Sequence, residues 1–229
     1  VACKDVNSEA DVIALSLRET LETPKKTAAL VTPDRSLAEA VIVALRRWNI
    51  HVDDSAGTPL SQCGAGVFLQ LLANAVAADF VPVSLLSLLK HPLAAGGMEL
   101  ADFRFLVRSV ELAVLRGHRP TPGLTGLIDG LEERPDLAAF VRDHVRAPLQ
   151  DLAVIWKNGT PSLAGLASAL ATAGERLAAR TLLADGTCDT DDGALHLWRD
   201  FDGEAAAEVM RDLAEQTTDI GIDLAEFPD

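Results

Sequence analysis

Residues 27–53 constrain most strongly what this chain can fold into. Thr27 to Thr32 (TAALVT) is nearly continuous apolar, as a parallel strand covered on both faces requires. Ser36 and Glu39 then form a capping box, and Leu37, Val41, Leu45 and Trp48 recur at the spacing of one helical face. Asn49 stands where the helix must reverse, because asparagine tolerates left-handed dihedrals, and Ile50 to Asp53 reads as a further strand. Upstream, VACKDV (1–6) alternates like a short strand. Ser8 and Asp11 give a capping signal for a helix carrying Ile13, Leu17 and Leu21, which Thr23-Pro24 stops. Two successive β-α crossovers of similar length predict a small parallel sheet, three-stranded or larger and incomplete, with right-handed connections. Over residues 1–63 the expectation is therefore a small α/β lobe.

After SAGTPL the pattern changes, and no strand is predicted again. Val67 to Val76 reads as a helix, Pro82 opens another that Pro92 ends, and residues 99–116 form a third. In that third helix Leu100, Phe103, Leu106, Val107 and Val110 point inward and Gly117 caps the end. RPTPGLTG reads as a loop. Residues 136–157 are helical with a break at Pro148, Thr160-Pro161 starts a helix reaching about Leu183, and the last runs from Ala194 to about Thr217. Alanine and leucine dominate, tyrosine is absent and aromatics make up only 4%, which favours helix packing. The predicted fold class is α/β plus mostly α, with the sheet lobe at 1–63 followed by a multi-helix lobe at 64–229. A chain that opens at Val1 in a strand-like segment reads as a piece of a longer polypeptide.

The residues offer no self-sufficient chemistry. No G-x-x-x-x-G-K-[ST], G-x-G-x-x-G or G-x-S-x-G is present. His51, His91, His118, His144 and His196 are scattered without an H-x-x-x-H pair, and Cys3, Cys63 and Cys188 lie far apart. Asp185, Asp189, Asp191 and Asp192 miss the calcium-loop spacing, because the twelfth position from Asp185 is His196; they read as an acidic loop. No catalytic residue, metal ligand set or cofactor is expected in this segment. Unpaired cysteines suit a cytoplasmic location, and no apolar run approaches a membrane span.

Charge argues against a general duplex-DNA binder. The chain carries −14, of which residues 1–63 contribute 7 − 9 = −2 and the remainder 13 − 25 = −12. Two places still hold anion-binding potential. The turn Thr32-Pro33-Asp34-Arg35-Ser36 lies between a predicted strand and a helix N-terminus, where Thr32, Arg35 and Ser36 can hold a phosphate. The plainer alternative is that Ser36 only caps its helix and Arg35 is solvated. The second place is weaker: Lys90 at a helix end, and Arg104 and Arg108 on one face at i and i+4, with Arg116, His118 and Arg119 beyond. Glu99, Asp102 and Glu111 interleave with these cations, as on an ordinary salt-bridged face.

The combination of VTPDRSLA, RRWNIHVDDSAGTPL and PVSLLSLLKHPLA resembles the alphaproteobacterial AddB family of double-strand break repair subunits, most strongly over residues 8–94. ALVTPDRSLAEAVIVALRRWNIHVDDSAGTPL also looks like the entry to the second RecA-like domain of superfamily 1 helicases, which carries a long helical insertion. Asn49 departs from the glycine common in relatives. The resemblance implies a helicase-like, nuclease-bearing subunit that works with an AddA-like helicase-nuclease partner on broken DNA ends during recombination. It implies that Thr32 and Arg35 match the turn facing single strand or nucleotide. It also implies that this segment, lacking the Walker lysine and the cysteine-ligated nuclease, is inactive alone. The alternatives are a ligand- or partner-binding α/β module with a helical interaction domain, unrelated to nucleic acid, and a purely architectural segment.

Overall fold

In the computed structural model, residues 3–57, 59–116, 121–158 and 161–215 are described. The chain divides into two compact units, Val1–Gly57 and Thr58–Asp229. The first contains α1 (Val6–Leu21) and α2 (Arg35–Arg46) packed on each other. Ala10 and Ala14 of α1 let the helices approach closely, and Leu37, Val41, Ala44 and Leu45 of α2 fill the seam. Asn49 adopts the left-handed conformation expected of a reversing residue, with φ of 56°. Trp48 closes the end of this small core beneath the guanidinium groups of Arg18 and Arg47, 4.9 and 5.4 Å from its ring centroid.

The expected parallel sheet does not form. Among the described residues no strand is formed, and an isolated antiparallel bridge joins Leu182 to Cys188. Residues 26–32 and 50–54 are irregular, and the backbone groups of Ala28–Val31 and His51–Asp53 make no hydrogen bonds among the described residues. Val31, assigned to a doubly covered strand, is 93% exposed. An apolar run shows that an extended segment would favour being covered. It supplies no neighbouring edge, and without one the ladder cannot start. The RecA-like, P-loop-like lobe is thus replaced by a helix pair with two irregular connections. The strand expected at 1–6 is corrected as well: Val1 and Ala2 lie outside the described residues, Asp5 accepts from the Ser8 backbone N–H at 2.8 Å, and Val6 opens α1.

The second unit is helical and holds the larger core. Its elements are α3 (Gly64–Ala77), α4 (Pro82–Leu89), α5 (Leu100–Val110), α6 (Gly123–Asp129), α7 (Pro135–Phe140), α8 (Ala147–Lys157), α9 (Leu163–Ala178), α10 (Thr190–Leu197) and α11 (Asp200–Ala214). α9 packs against α3, α8, α10 and α11, so it is the hub of that half. Phe68 and Leu72 of α3, Leu85 and Leu88 of α4, Leu149 and Leu152 of α8, and Leu177 of α9 are all essentially inaccessible. Each such side chain contributes about 1.5–3 kcal/mol through burial.

Two π-helical turns interrupt the α geometry, Glu111–Leu115 after α5 and Val141–Arg146 between α7 and α8. The second explains why Pro148 does not break its helix. A proline has no N–H for the carbonyl four residues back, here that of His144. That carbonyl oxygen comes close to Gly96, where a Cβ would lie only 2.3 Å away, while His144 Nδ1 meets the Gly96 carbonyl oxygen at 2.8 Å. Gly96, at φ of 53°, is thereby required twice, by its backbone angle and by the close approach.

Candidate anion-binding site

The turn at 32–36 is built from its own side chains. Asp34, not Ser36, is the N-cap of α2: one carboxylate oxygen accepts from the backbone N–H groups of Ser36 at 2.9 Å and Leu37 at 3.3 Å. Thr32 Oγ1 accepts from the Asp34 N–H at 3.1 Å. Arg35 donates to Asp54 at 2.6 Å, to Glu39 at 3.2 Å and to the Gly57 carbonyl at 3.0 Å. The Asp54 carboxyl is held below the usual carboxylate range, first by the Ala56 N–H and then by Arg35. The N–H groups at this helix start are thus turned to a carboxylate, and Arg35 ties the turn to residues 54–57. The Ser36 side chain stays exposed.

In the helical unit the second set of candidates converges. α5 buries Phe103, Val107 and Val110 at i, i+4 and i+7. That register turns Arg104 and Arg108 outward, one helical turn apart. α4 ends at Lys90, and the two helices enclose an open cleft of about 250 Å³ lined by Leu89, Lys90, Arg104, Val107, Arg108 and Glu111. Neither Arg104 nor Arg108 has an ion-pair or hydrogen-bond partner among the described residues. His91, next to Lys90, is structural: its ring lies 5.1 Å from that of Phe68, its Nδ1 accepts from the Leu93 N–H, and burial pushes its pKa down.

Glu111 forms the floor. It is 4% exposed, and it is the only buried charged residue among those described. One carboxylate oxygen takes the Lys90 ammonium at 2.7 Å, and the other accepts from Arg116 Nη2 at 2.7 Å and Nε at 3.0 Å. These donors, Lys90 foremost, hold its carboxyl below the usual range, so it is ionised throughout neutral pH. The π turn makes the pair with Arg116 possible. In a regular helix residues five apart diverge by about 140°, given 3.6 residues per turn. Here the Arg116 N–H bonds to the Glu111 carbonyl at 3.1 Å, and the two side chains share a face. π turns of this kind often accompany functional sites. Four cations against one carboxylate leave this corner at +3, within a unit that carries −12.

The structure brings Lys90, Arg104 and Arg108, the weaker candidates of the sequence, to one cleft. Glu111 was missed as an organising residue, since its spacing from Arg116 fits no α-helical pair. Glu99 and Asp102 do not line the cleft, whereas Glu111 does. His118 and Arg119 lie outside the described residues, as does the Gly117 cap.

Three of the four aspartates of the acidic run, Asp185, Asp189 and Asp192, accept from backbone N–H groups. Asp189 is the N-cap of α10, so Asp191 and Asp192 belong to a helix start rather than a loop. Asp192 accepts from the N–H groups of Arg180 and Thr181, and Asp185 from Thr187. Nearby Cys188 is buried, and desolvation pushes its thiol up to about 11, which leaves it a poor nucleophile at neutral pH. Among the described residues no helix is long and apolar enough to cross a membrane. Neither a protein-family model, nor a curated protein, nor a solved structure matches this chain.

Proposed function

We propose that this chain is a DNA-guiding segment of an AddB-like repair subunit, working in the cytoplasm beside an AddA-like helicase-nuclease. In this reading its helical unit lays a short cationic strip along a nucleic-acid strand, and ATP hydrolysis and strand cleavage occur elsewhere in the complex. The supporting observation is the unpaired pair Arg104 and Arg108 in the cleft that Lys90 and Glu111 complete. Exposed guanidinium groups with no carboxylate partner among the described residues, fixed on the rigid face of a helix, suit phosphate oxygens through paired N–H donors. The surrounding negative charge limits contact to that strip and repels nucleic acid elsewhere. The quoted stretches VTPDRSLA and PVSLLSLLKHPLA add the family likeness.

Titrating the full chain with a single-stranded oligonucleotide across salt concentrations tests this. Each phosphate contact contributes about 0.7 to the slope of log affinity against log salt for a single strand. Replacing both Arg104 and Arg108 with alanine is expected to flatten the slope by about 1.4 on that scale. An affinity and slope equal to those of the unaltered chain would count decisively against the nucleic-acid role.

A further inference from the structure

We propose that Glu111 limits the cleft to two phosphates of a single strand: it withholds Lys90 and Arg116, and leaves Arg104 and Arg108 as the two seats. The inference rests on the nucleic-acid reading above and adds to it a residue that sets how much of the strand is held.

The structure separates the four cations into two kinds. Arg104 and Arg108 have no partner among the described residues, and their Cβ atoms are about 5–6 Å apart as i, i+4 neighbours on one face. Lys90 and Arg116 converge instead on a single carboxylate, one on each oxygen, although both side chains are more than half exposed, at 52% and 63%. Exposed cations are ordinarily free to follow any anion in solution. These two are tethered because Glu111 sits at 6% side-chain exposure and, among the described residues, has only them to offset its charge. A phosphate strand competing for them would have to leave that buried carboxylate unpaired, so they are poorly available. The π turn is the device that holds Arg116 in this arrangement, since a regular helix would carry it to another face.

Glu111→Gln keeps the shape and one acceptor while removing the charge. Lys90 and Arg116 are then released to the strand, so the variant is expected to bind a single-stranded oligonucleotide more tightly. Its salt slope should steepen by about 0.7–1.4, for one or two added phosphate contacts. A role confined to holding the fold predicts the opposite, weaker binding with an unchanged or flatter slope, and that result would overturn the inference. Thermal melting of the variant establishes that it is folded. Should it fail to fold, Lys90→Ala at an exposed position decides the matter: its slope should fall by less than half as much as that of Arg104→Ala. Equal falls would show that Lys90 is not withheld. If Arg104→Ala and Arg108→Ala flatten the slope but Glu111→Gln does not steepen it, this inference fails and the nucleic-acid reading stands. If no variant alters the slope, the reading itself fails. Displacement of the oligonucleotide by inorganic pyrophosphate at equal phosphate concentration would make the ligand a free anion and overturn the strand.

Discussion

Replacing Phe103 with alanine is expected to destabilise the helical unit by about 3–5 kcal/mol, the cost of an aromatic-sized cavity in a packed core. Phe103 is fully buried, meets Phe140 edge-on with ring centroids 5.4 Å apart, and lies against the backbone of Gly96. A loss of this size is a large part of the roughly 5–15 kcal/mol that holds a typical protein together. In urea the unfolding midpoint should fall sharply with an unchanged slope. Phe105, two residues on and 69% exposed, is the internal control: its replacement by alanine should change stability by no more than about 0.5 kcal/mol. Comparable losses at both positions would mean that α5 is rotated from the register that places Arg104 and Arg108 in the cleft.

Gly193→Ala should be the second severe change, because nothing at the contact can give way. A Cβ there would lie 1.8 Å from the Glu175 carbonyl oxygen and 2.6 Å from its carbon, both backbone atoms of α9. A flexible side chain could rotate aside, but α10 as a whole must back away. That movement also strains the hydrogen bond from Trp198 Nε1 to Glu175, now 2.8 Å. Overpacking of this kind costs about 1–3 kcal/mol. In a chain of this size each kcal/mol lowers the melting temperature by about 2–4 °C. A melting curve superimposable on that of the unaltered protein would contradict the close packing of α10 on α9.

Helices with a clean apolar face and a punctuating residue were legible in the sequence. α4 begins at Pro82 and α5 buries Phe103, Val107 and Val110, as their patterns require. Legibility failed where tertiary packing overrode local signals. Gly123 to Gly126, part of an apparent loop, belongs to α6 because Leu124 and Leu127 are drawn into the core. The single helix expected from Ala194 onward is two, divided at Trp198-Arg199 and followed by Asp200 at φ of 62°. Its expected end at Thr217 lies outside the described residues, and the helix expected from Thr160-Pro161 to about Leu183 is α9, which begins at Leu163 behind its N-cap Ser162 and ends at Ala178.

The sheet was misread for a different reason. Strand patterns report how a segment would like to be covered, but pairing is a relation between segments, and periodicity carries no information about it. The candidate site was half legible on similar grounds. Arg104 and Arg108 share a face under the α-helical period, whereas Glu111 and Arg116 meet only because a π turn changes that period locally.

The irregular stretches of the smaller unit have a consequence for the molecule in bulk. Amide and carbonyl groups at 28–31 and 51–53 find no hydrogen-bond partner among the described residues, and Val31 is bare, in a unit whose own charge is only −2. Colloidal repulsion between copies therefore comes almost wholly from the helical half, and it reaches only about 8 Å at physiological ionic strength. Charge therefore defends least the unit that carries these unpaired main-chain groups, and concentrated salt strips away what defence remains.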